Sequence, residues 1–202
     1  MLRVEQLSCA RGPRELFRGL SFTAEPGELV LVTGPNGSGK TTMLRAVAGL
    51  TRPAAGAITW NGSEQALAES RAYLGHAAGW KDTLSVTENL HLAWRLDAES
   101  AADDAGAGRA ALERFGLARQ RNLAVARLSQ GQRKRLHMAR LSRSTRPLWL
   151  LDEPAAALDD EGLNGLADLV AEHLGKGGTA AIATHQPLLI AVTRTQSVVL
   201  AG

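Results

Sequence analysis

The chain has 202 residues, 45 % of them hydrophobic, which is typical of one globular domain or of one domain with a small inserted lobe. Its single cysteine excludes an intrachain disulfide and gives no basis for a cysteine-ligated metal site. The formal net charge is only +3. The first residues have no continuous apolar core, so we expect no signal peptide. No apolar run approaches the roughly 18 residues that span a bilayer, so we expect no membrane-spanning helix.

The first part of the chain predicts a strand, a loop, a helix and part of a hairpin. Residues 28–34 are a short, β-branched apolar run that ends in glycine, as in a buried strand. Residues 40–50 carry apolar side chains at helical spacing, with Gly49 as a stop signal. Residues 56–62 predict one strand of a hairpin whose turn is the pair Asn61–Gly62.

The middle of the chain is less regular and strongly basic. Residues 97–117 are rich in alanine, glycine and acidic side chains and predict a loose connection followed by a helix. Between Arg114 and Leu151 there are ten Lys or Arg residues and no Asp or Glu. Such a block indicates either an anionic partner, namely nucleic acid, phosphate or a membrane surface, or a solvated helix face.

The last part of the chain alternates strands and helices. Residues 146–154, 177–185 and 197–201 predict core strands, and residues 161–175 predict an amphipathic helix. This alternation indicates an α/β fold with a mostly parallel sheet covered on both faces.

The stretch GPNGSGKT (34–41) fits the phosphate-binding pattern G-x-x-x-x-G-K-[ST] at every fixed position and lies between a predicted strand and a predicted helix. Its glycines let the backbone curl so that N–H groups face phosphate oxygens at a helix amino terminus. The Lys40 ammonium reaches the terminal phosphates, and the Thr41 hydroxyl is a ligand for Mg²⁺. We therefore predict a nucleotide site formed by Gly34, Pro35, Asn36, Gly37, Ser38, Gly39, Lys40, Thr41 and Thr42.

Two adjacent carboxylates follow four apolar residues in the strand predicted over 146–154. Asp152 would end the strand beside the phosphate loop, where it can support Mg²⁺. Glu153 would point elsewhere, toward an attacking water, and is the candidate general base. The alternative for this pair is an acidic surface turn after a strand.

A second candidate for phosphate binding is the stretch LSQGQRKRLHMAR (128–140). Ser129 is a candidate N-cap, Gly131 permits a close backbone approach, and Gln132 adds an amide at the start of a predicted helix. A helix amino terminus attracts anions. One nucleotide need not use both sites, and a symmetric head-to-tail dimer would let each subunit close the other's nucleotide.

Two histidines follow predicted strands. His185 ends the run AAIATH, where parallel sheets form their active sites, and its alternative role is that of a capping residue. His76 lies in RAYLGHAAGWKD (71–82) and is either a satisfied interior histidine or a functional one. A neutral imidazole at that position offers one acceptor nitrogen to Mg²⁺ or water.

The motifs GPNGSGKT, LSQGQ, LLDEP, AALD and THQP, in this order and spacing, resemble those of the ATP-binding subunit of an ABC transporter, and the similarity covers nearly the whole chain. The resemblance implies an α/β P-loop NTPase core of the ABC ATPase type, with a small antiparallel β subdomain and an inserted helical subdomain. It implies one domain over residues 1–202, in which residues 1–80 and 146–202 form the core and residues 81–145 form the helical subdomain.

The resemblance also assigns roles to the matching residues. It implies ATP and Mg²⁺ as cofactors, with Lys40, Thr41 and Asp152 at the phosphates and the metal. Glu153 matches the general base, and His185 matches the switch histidine beside the γ-phosphate. In a homodimer, further residues would act on the partner subunit: the signature residues Ser129, Gln130, Gly131 and Gln132 at its γ-phosphate, and Asp159 of AALD across the interface.

Three positions depart from the family pattern. The signature usually reads Ser-Gly-Gly-Gln, whereas Gln130 fills its second place, which we expect to tolerate a side chain. His76 stands where the Q-loop usually has glutamine. Arg11 stands where an aromatic residue usually stacks on adenine. A guanidinium can also stack on a base, and the alternative is a solvated arginine.

A narrower resemblance rests on residues 73–90, residues 9–22 and the stretch ATHQPL (183–188), together with the short chain. These segments are similar to the ATPase subunit of the bacterial cytochrome c maturation system, which works with membrane subunits in a haem-handling complex. The resemblance implies a peripheral subunit on the cytoplasmic face of the inner membrane. It implies that ATP hydrolysis supports haem export and release of the haem-loaded chaperone, that membrane partners handle the haem, and that His76 couples hydrolysis to those partners.

Three other functions fit parts of the sequence. One is an ABC ATPase subunit that serves another cargo. Another is a soluble ABC protein of DNA repair or translation whose basic block contacts nucleic acid, although such chains usually carry two ATPase units or long coiled-coil insertions. The third is a non-hydrolysing regulatory module, against which the intact Glu153 and His185 argue. We expect no nucleic-acid partner.

Overall fold

The computed structural model describes residues 1–75, 79–97, 105–185 and 188–201. None of the helices in these residues has the length and apolar character that crossing a bilayer requires. The described elements, in chain order, are β1 (Leu2–Arg11), β2 (Arg14–Ala24), β3 (Leu29–Thr33), α1 (Lys40–Val47), β4 (Ala55–Trp60), α2 (Glu64–Ser70), β5 (Arg71–Leu74), α3 (Val86–Leu96), α4 (Ala105–Arg114), α5 (Gln130–Leu141), β6 (Leu148–Asp152), α6 (Asp160–Gly175), β7 (Thr179–Ala183) and β8 (Thr195–Val199). The predictions for β3, α1, β6, α6, β7 and β8 are confirmed to within three residues at each end.

Two compact units divide the chain. The first, which we call the core unit, comprises residues 1–76, 146–154 and 170–202. The second, the helical unit, comprises residues 77–145 and 155–169. Helix α6 begins in the helical unit and ends in the core unit.

A parallel sheet in the order β5-β6-β7-β3-β8 forms the centre of the core unit, which confirms the predicted α/β class. Every residue of β6 and β7 is buried, in keeping with the continuous apolar runs of these strands. Ala183 of β7 pairs with Asp152 on one side and with Val32 on the other. The segments that follow β3, β6 and β7 therefore start at the same edge of the sheet, and this edge carries the candidate site.

A separate antiparallel sheet has the order β2-β1-β4, as the family resemblance implied. Leu2 of β1 pairs with Ala24 of β2 on one side and with Trp60 of β4 on the other. Leu2 and Val4 of β1 are buried, which is the alternation expected of a strand with one face on the core.

The pair Asn61–Gly62 forms the predicted tight turn without the predicted hairpin. Both residues have a positive φ, 50° and 82°, as in a type I′ turn. Trp60 and Ser63 exchange backbone hydrogen bonds of 3.0 Å across it. Helix α2 follows, so the prediction of a second strand is wrong and β4 pairs with β1 instead. The two-residue turn is a local feature, whereas the strand that pairs with β4 lies at the start of the chain.

Helix α1 buries one side in the core unit. Met43, Leu44 and Val47 are fully buried there, which agrees with the amphipathic pattern of the sequence. The helix ends just before Gly49, which confirms the predicted stop. This packing fixes the first turn of α1, which follows the phosphate-binding loop directly.

Polar contacts fix the start of α3 in the helical unit. Ser85 and Glu88 form a capping box at its first turn. Asn89 is 2 % exposed, and its Nδ2 donates to the carbonyl oxygens of Lys81, Leu84 and Ser85 at 2.9, 3.1 and 3.0 Å. Its Oδ1 accepts the Lys81 N–H at 2.8 Å. One side chain therefore holds the segment that leads into α3.

Cations of the basic block in 114–151 have acidic partners within the helical unit. Arg133 pairs with Asp82 at 3.1 Å. Arg140 makes a two-point contact with Asp97 at 2.7 and 2.8 Å. These acids lie outside the block, so the sequence count did not reveal them. For these positions the structure favours an intramolecular role over contact with an anionic partner.

Candidate nucleotide-binding and hydrolysis site

The phosphate-binding motif forms the turn between β3 and α1, as predicted. Gly34 has φ of +143°, and a Cβ there would lie 2.4 Å from the Leu200 carbonyl oxygen and 2.8 Å from Ser38 Oγ. A Cβ on Gly39 would lie 3.0 Å from the Phe17 ring. Close packing therefore requires glycine at position 34, and φ of +103° favours it at position 39, which adds a structural reason to the match with the motif.

The Lys40 side chain folds back into the loop. It is 7 % exposed, and its Nζ donates to the carbonyl oxygens of Gly34 and Pro35 at 2.8 and 3.1 Å. Because an ammonium has three hydrogens, one remains to donate to a phosphate oxygen. Gly39 occupies the N-cap of α1 without a side-chain cap, so the N–H groups of the first turn are accessible to an anion.

An open cleft of about 680 Å³ adjoins the loop, within the range of about 300–1,000 Å³ typical of ligand sites. The exposed Arg11, at the end of β1, lines it. The other predicted site residues that line it are Asn36, Gly37, Gly39, Lys40, Thr41, Thr42, Asp152 and Glu153.

Sequence reasoning missed Arg45 and Thr51, which also line the cleft. Arg45 Nε donates to Thr51 Oγ1 at 3.3 Å. Arg45 follows Thr41 by four residues, so helical spacing alone would have placed both on one side of α1. No sequence signal points to Thr51.

Thr41 and Asp152 meet at this site although 111 positions separate them. Thr41 Oγ1 donates to Asp152 Oδ1 at 3.0 Å, and Asp152 is 2 % exposed at the end of β6. A hydroxyl beside a carboxylate supplies the hard oxygen ligands that Mg²⁺ prefers, so these two residues fit the predicted cation.

Glu153 and His185 form a second pair at the same edge of the sheet. Glu153 Oε2 and His185 Nδ1 are 2.9 Å apart, and the two side chains are 18 % and 53 % exposed. Glu153 has φ of +48°, and its N–H donates to the Ala183 carbonyl at 2.9 Å. A left-handed backbone at a non-glycine residue costs about 1–3 kcal/mol. With the backbone in this conformation, the adjacent carboxylates have different partners: Asp152 contacts Thr41, and Glu153 contacts His185.

The LSQGQ segment starts helix α5 with a capping box. Ser129 Oγ accepts the Gln132 N–H at 3.2 Å, and Gln132 Oε1 accepts the Ser129 N–H at 3.0 Å. The N-cap predicted at Ser129 is confirmed, and the reciprocal contact of Gln132 is new. Both side chains accept in this box, so the Ser129 hydroxyl hydrogen and the Gln132 amide hydrogens are left to donate elsewhere.

Gly131 lies close to the backbone of another segment of the same chain. A Cβ on Gly131 would lie 2.6 Å from the Ala157 carbonyl oxygen. The side chain of Gln130 is exposed. The second place of the signature therefore accepts a side chain, whereas the third does not.

Asp159 caps helix α6. Its Oδ1 accepts from Arg135 Nη2 at 2.6 Å and from the Gly162 N–H at 3.0 Å. The Arg135 guanidinium, followed by the Gly162 N–H, holds the pKa of the Asp159 carboxyl below its usual range. Asp159 thus has a role within one copy of the chain, in addition to the interface role that the family resemblance implies.

Of the predicted site residues, His76 lies outside the described residues. The same holds for Gln186 and Pro187, which follow His185 in the THQP motif.

Residues 17–156 match the family model described as ABC transporter. The cytochrome c biogenesis ATP-binding export protein CcmA of Rhodopseudomonas palustris (strain BisB5) is 49 % identical over 187 residues, which cover 92 % of either chain. The proteins of the same name from Dechloromonas aromatica (strain RCB) and Shigella flexneri are 44 % and 40 % identical. These matches cover 94 % and 99 % of this chain, and 95 % and 96 % of the relatives.

Solved structures share the fold. One described as the ATP-binding subunit of an ABC transporter has a TM-score of 0.80 at 27 % identity, over 92 % of this chain and 79 % of its own. A putative ABC transporter ATP-binding protein from Pyrococcus furiosus has a TM-score of 0.83 at 23 % identity, over 97 % of this chain and 96 % of its own. The family model, the relatives and the fold agree, and the chain belongs to the ATP-binding subunits of the ABC transporter family, in the group of the cytochrome c biogenesis ATP-binding export proteins.

Proposed function

We propose that residues 1–202 form one ABC-type ATPase domain that hydrolyses ATP for a transporter complex of cytochrome c biogenesis. The enzymatic part rests on one observation. Two pairs, Thr41–Asp152 at 3.0 Å and Glu153–His185 at 2.9 Å, start from the same edge of the sheet. The pathway rests on relatives of that name at 40–49 % identity.

In the proposed complex with ATP, the triphosphate lies along the loop of residues 34–42. Lys40 donates to the terminal phosphates, while the N–H groups of the first turn of α1 donate to the other phosphate oxygens. Thr41 and Asp152 would hold Mg²⁺, which neutralises phosphate charge when it is bound. Arg11 stacks on the adenine, and its exposed position on the cleft wall supports this assignment.

Glu153 acts as the general base. It orients a water and accepts its proton as the water oxygen attacks the γ-phosphorus, while the bond to the β–γ bridging oxygen breaks and ADP leaves. Lys40 and His185 stabilise the charge on the γ-phosphoryl oxygens.

The contact between His185 and Glu153 limits how His185 can serve. If Nδ1–H donates to Glu153, then Nε2 must also carry a hydrogen to donate to the γ-phosphate. A neutral His185 that donates from Nε2 has no hydrogen on Nδ1, and would therefore release the Glu153 carboxylate when the nucleotide binds. Release would remove the His185 contact from the Glu153 carboxylate at the moment when Glu153 orients the attacking water.

The signature residues act in a homodimer on the nucleotide of the other copy. Ser129 and Gln132 use only their oxygens in the capping box, so their hydrogens remain as donors, and the α5 amino terminus adds its positive dipole end. Gly131 keeps the motif against the segment that carries Asp159, and Gln130 is accommodated on the surface.

The complex also contains integral membrane subunits, with this chain on the cytoplasmic face of the bacterial inner membrane. Those subunits handle the haem, and hydrolysis drives haem export or release of the haem-loaded chaperone. His76 couples hydrolysis to them. An ABC subunit for another cargo would have the same cleft, so the pathway needs its own test.

Glu153→Gln tests the hydrolytic mechanism. The variant should bind ATP and accumulate as an ATP-bound dimer, because the amide cannot accept the proton of the attacking water. Nucleotide binding, dimer mass and phosphate release measure this outcome. Glu64→Gln, at an exposed position of α2, is the control and should hydrolyse ATP normally. Full turnover by Glu153→Gln would overturn the role of Glu153.

Complementation tests the pathway. In bacteria that lack their own cytochrome c biogenesis ATPase, the wild-type gene should restore covalent haem on c-type cytochromes, while Glu153→Gln should not. Wild-type protein that hydrolyses ATP and binds membrane subunits without restoring haem attachment would indicate another cargo.

A further inference from the structure

Tyr73 is the only tyrosine of the chain and has no role in the mechanism above. It belongs to β5, where it pairs with Leu150 of β6. Because side chains two residues apart on a strand share a face, Tyr73 lies on the face that carries Leu150 and Asp152. Tyr73 packs there against the core that includes Leu150 and Leu44 of α1. It therefore occupies the same layer, between sheet and α1, as the Thr41–Asp152 pair.

The Tyr73 ring runs along the strand toward the level of Asp152. Leu74 pairs with Leu151, so Gly75 comes level with Asp152. A Cβ on Gly75 would lie 2.6 Å from Cε1 of Tyr73 and 2.8 Å from its hydroxyl oxygen. The hydroxyl thus fills the space of a side chain at position 75, about one strand spacing of 4.8 Å from the strand of Asp152.

The charges of Asp152 and Arg45 both act on the Tyr73 hydroxyl. Burial, followed by the negative charge of Asp152, raises the pKa of Tyr73, and the positive charge of Arg45 opposes this effect. The phenol therefore keeps its hydrogen at neutral pH and is available as a donor. Arg45 and Asp152 both line the cleft, so the hydroxyl lies within the electrostatic field of the proposed metal and phosphate site.

We propose that Tyr73 is a positioning residue for Asp152: its hydroxyl orients the carboxylate by a hydrogen bond, directly or through one water, when the nucleotide and its divalent cation bind. Gly75 belongs to this arrangement because any side chain there would displace the phenol. The inference rests on the proposed function of Thr41 and Asp152 as cation ligands. It adds an outer contact that fixes one of those ligands.

Tyr73→Phe tests the inference because it keeps the ring and removes only the hydroxyl. Loss of an outer partner of a metal ligand weakens metal affinity by about 10–100-fold. We expect a loss of about 10-fold in Mn²⁺ affinity for the complex with a non-hydrolysable ATP analogue, measured by electron paramagnetic resonance. Nucleotide affinity in EDTA should be unchanged. Gly75→Ala retains the hydroxyl but displaces it, and should lose cation affinity in the same way.

A spectroscopic measurement reports on the same contact without activity. Biosynthetic 3-fluorotyrosine labels only position 73, so the ¹⁹F spectrum has one resonance from tyrosine. Adding Mg²⁺ to the nucleotide complex should shift this resonance, and Asp152→Asn should remove the shift. An unchanged spectrum on addition of the cation would contradict the inference.

The outcomes separate the two proposals. If wild-type protein binds Mn²⁺ with the nucleotide and Tyr73→Phe binds it equally well, the inference is wrong and the proposed function stands. If the nucleotide complexes of Thr41→Val and Asp152→Asn bind Mn²⁺ as tightly as the wild-type complex does, the assigned cation ligands and the inference both fail.

Discussion

The buried His173 should make the stability of the core unit depend on pH. Its side chain lies near the end of α6, is 8 % exposed, and stacks on Trp149 with ring centroids 3.9 Å apart and an angle of 7° between the planes. His173 Nε2 lies 3.2 Å from the Thr179 carbonyl oxygen. Burial lowers the pKa of His173 from 6.5 to about 4, against the opposing effect of the Thr179 and Pro147 backbone contacts.

Proton linkage determines whether the stability rises or falls with pH. The folded state has the lower pKa, so it binds the proton less readily than the unfolded state does. The stabilisation is complete above pH 6.5, decreases as pH falls toward 4, and is constant below that value. The difference between pKa 6.5 and about 4 corresponds to about 3 kcal/mol in the free energy of unfolding. About 2 kcal/mol of this stabilisation is already lost at pH 5.

Urea unfolding of the wild type and of His173→Gln at pH 7.5 and 5.0 measures this effect. Glutamine can donate to the Thr179 carbonyl but does not titrate. Between the two pH values, the free energy of unfolding of the wild type should decrease by about 2 kcal/mol more than that of the variant. Asn164→Gln, an exposed substitution in the same helix, should retain the wild-type difference. An equal decrease in the wild type and His173→Gln would refute the assignment.

Three other substitutions test the packing of the helical unit, and urea unfolding measures each. Gly131→Ala should destabilise by about 1–3 kcal/mol through overpacking, although helix propensity alone favours alanine by about 1 kcal/mol. A stabilised variant would contradict the steric explanation, and the exposed Gln130→Ala is its control. Asn89→Ala should cost about 2–4 kcal/mol because buried carbonyls lose their donor, and a cost below about 0.5 kcal/mol would show that water replaces the amide. Ser85→Ala should cost about 1 kcal/mol by removing the capping box, whereas unchanged stability would show that the box contributes little.

Local signals in the sequence predicted the elements around the nucleotide site well. The glycine-rich loop, the helix that follows it and the apolar run before Asp152 are each encoded within about ten residues, so their ends were predictable. Ser129 was predictable as an N-cap for the same reason, since its partner Gln132 is three residues away. In each case the interacting groups belong to one turn or one strand.

Contacts between distant parts of the chain were not predictable. The pairing of Leu2 with Trp60, the contact of Glu153 with His185, and the ion pair of Arg140 with Asp97 join residues that no local pattern links. The basic block illustrates the consequence. Counted along the sequence, the block indicated either an anionic partner or a solvated helix face, whereas in the fold acids from other segments pair with part of it.

The departures from the family pattern can be understood through the same contacts. Gln130, at the second place of the signature, has an exposed side chain. A Cβ on Gly131, at the third place, would lie 2.6 Å from a carbonyl oxygen. Arg11 is exposed on the cleft wall. Gly75, in contrast, cannot change without moving Tyr73. A side chain therefore has space where the position is exposed, as at Gln130, and is restricted where a Cβ would meet the protein itself, as at Gly131 and Gly75.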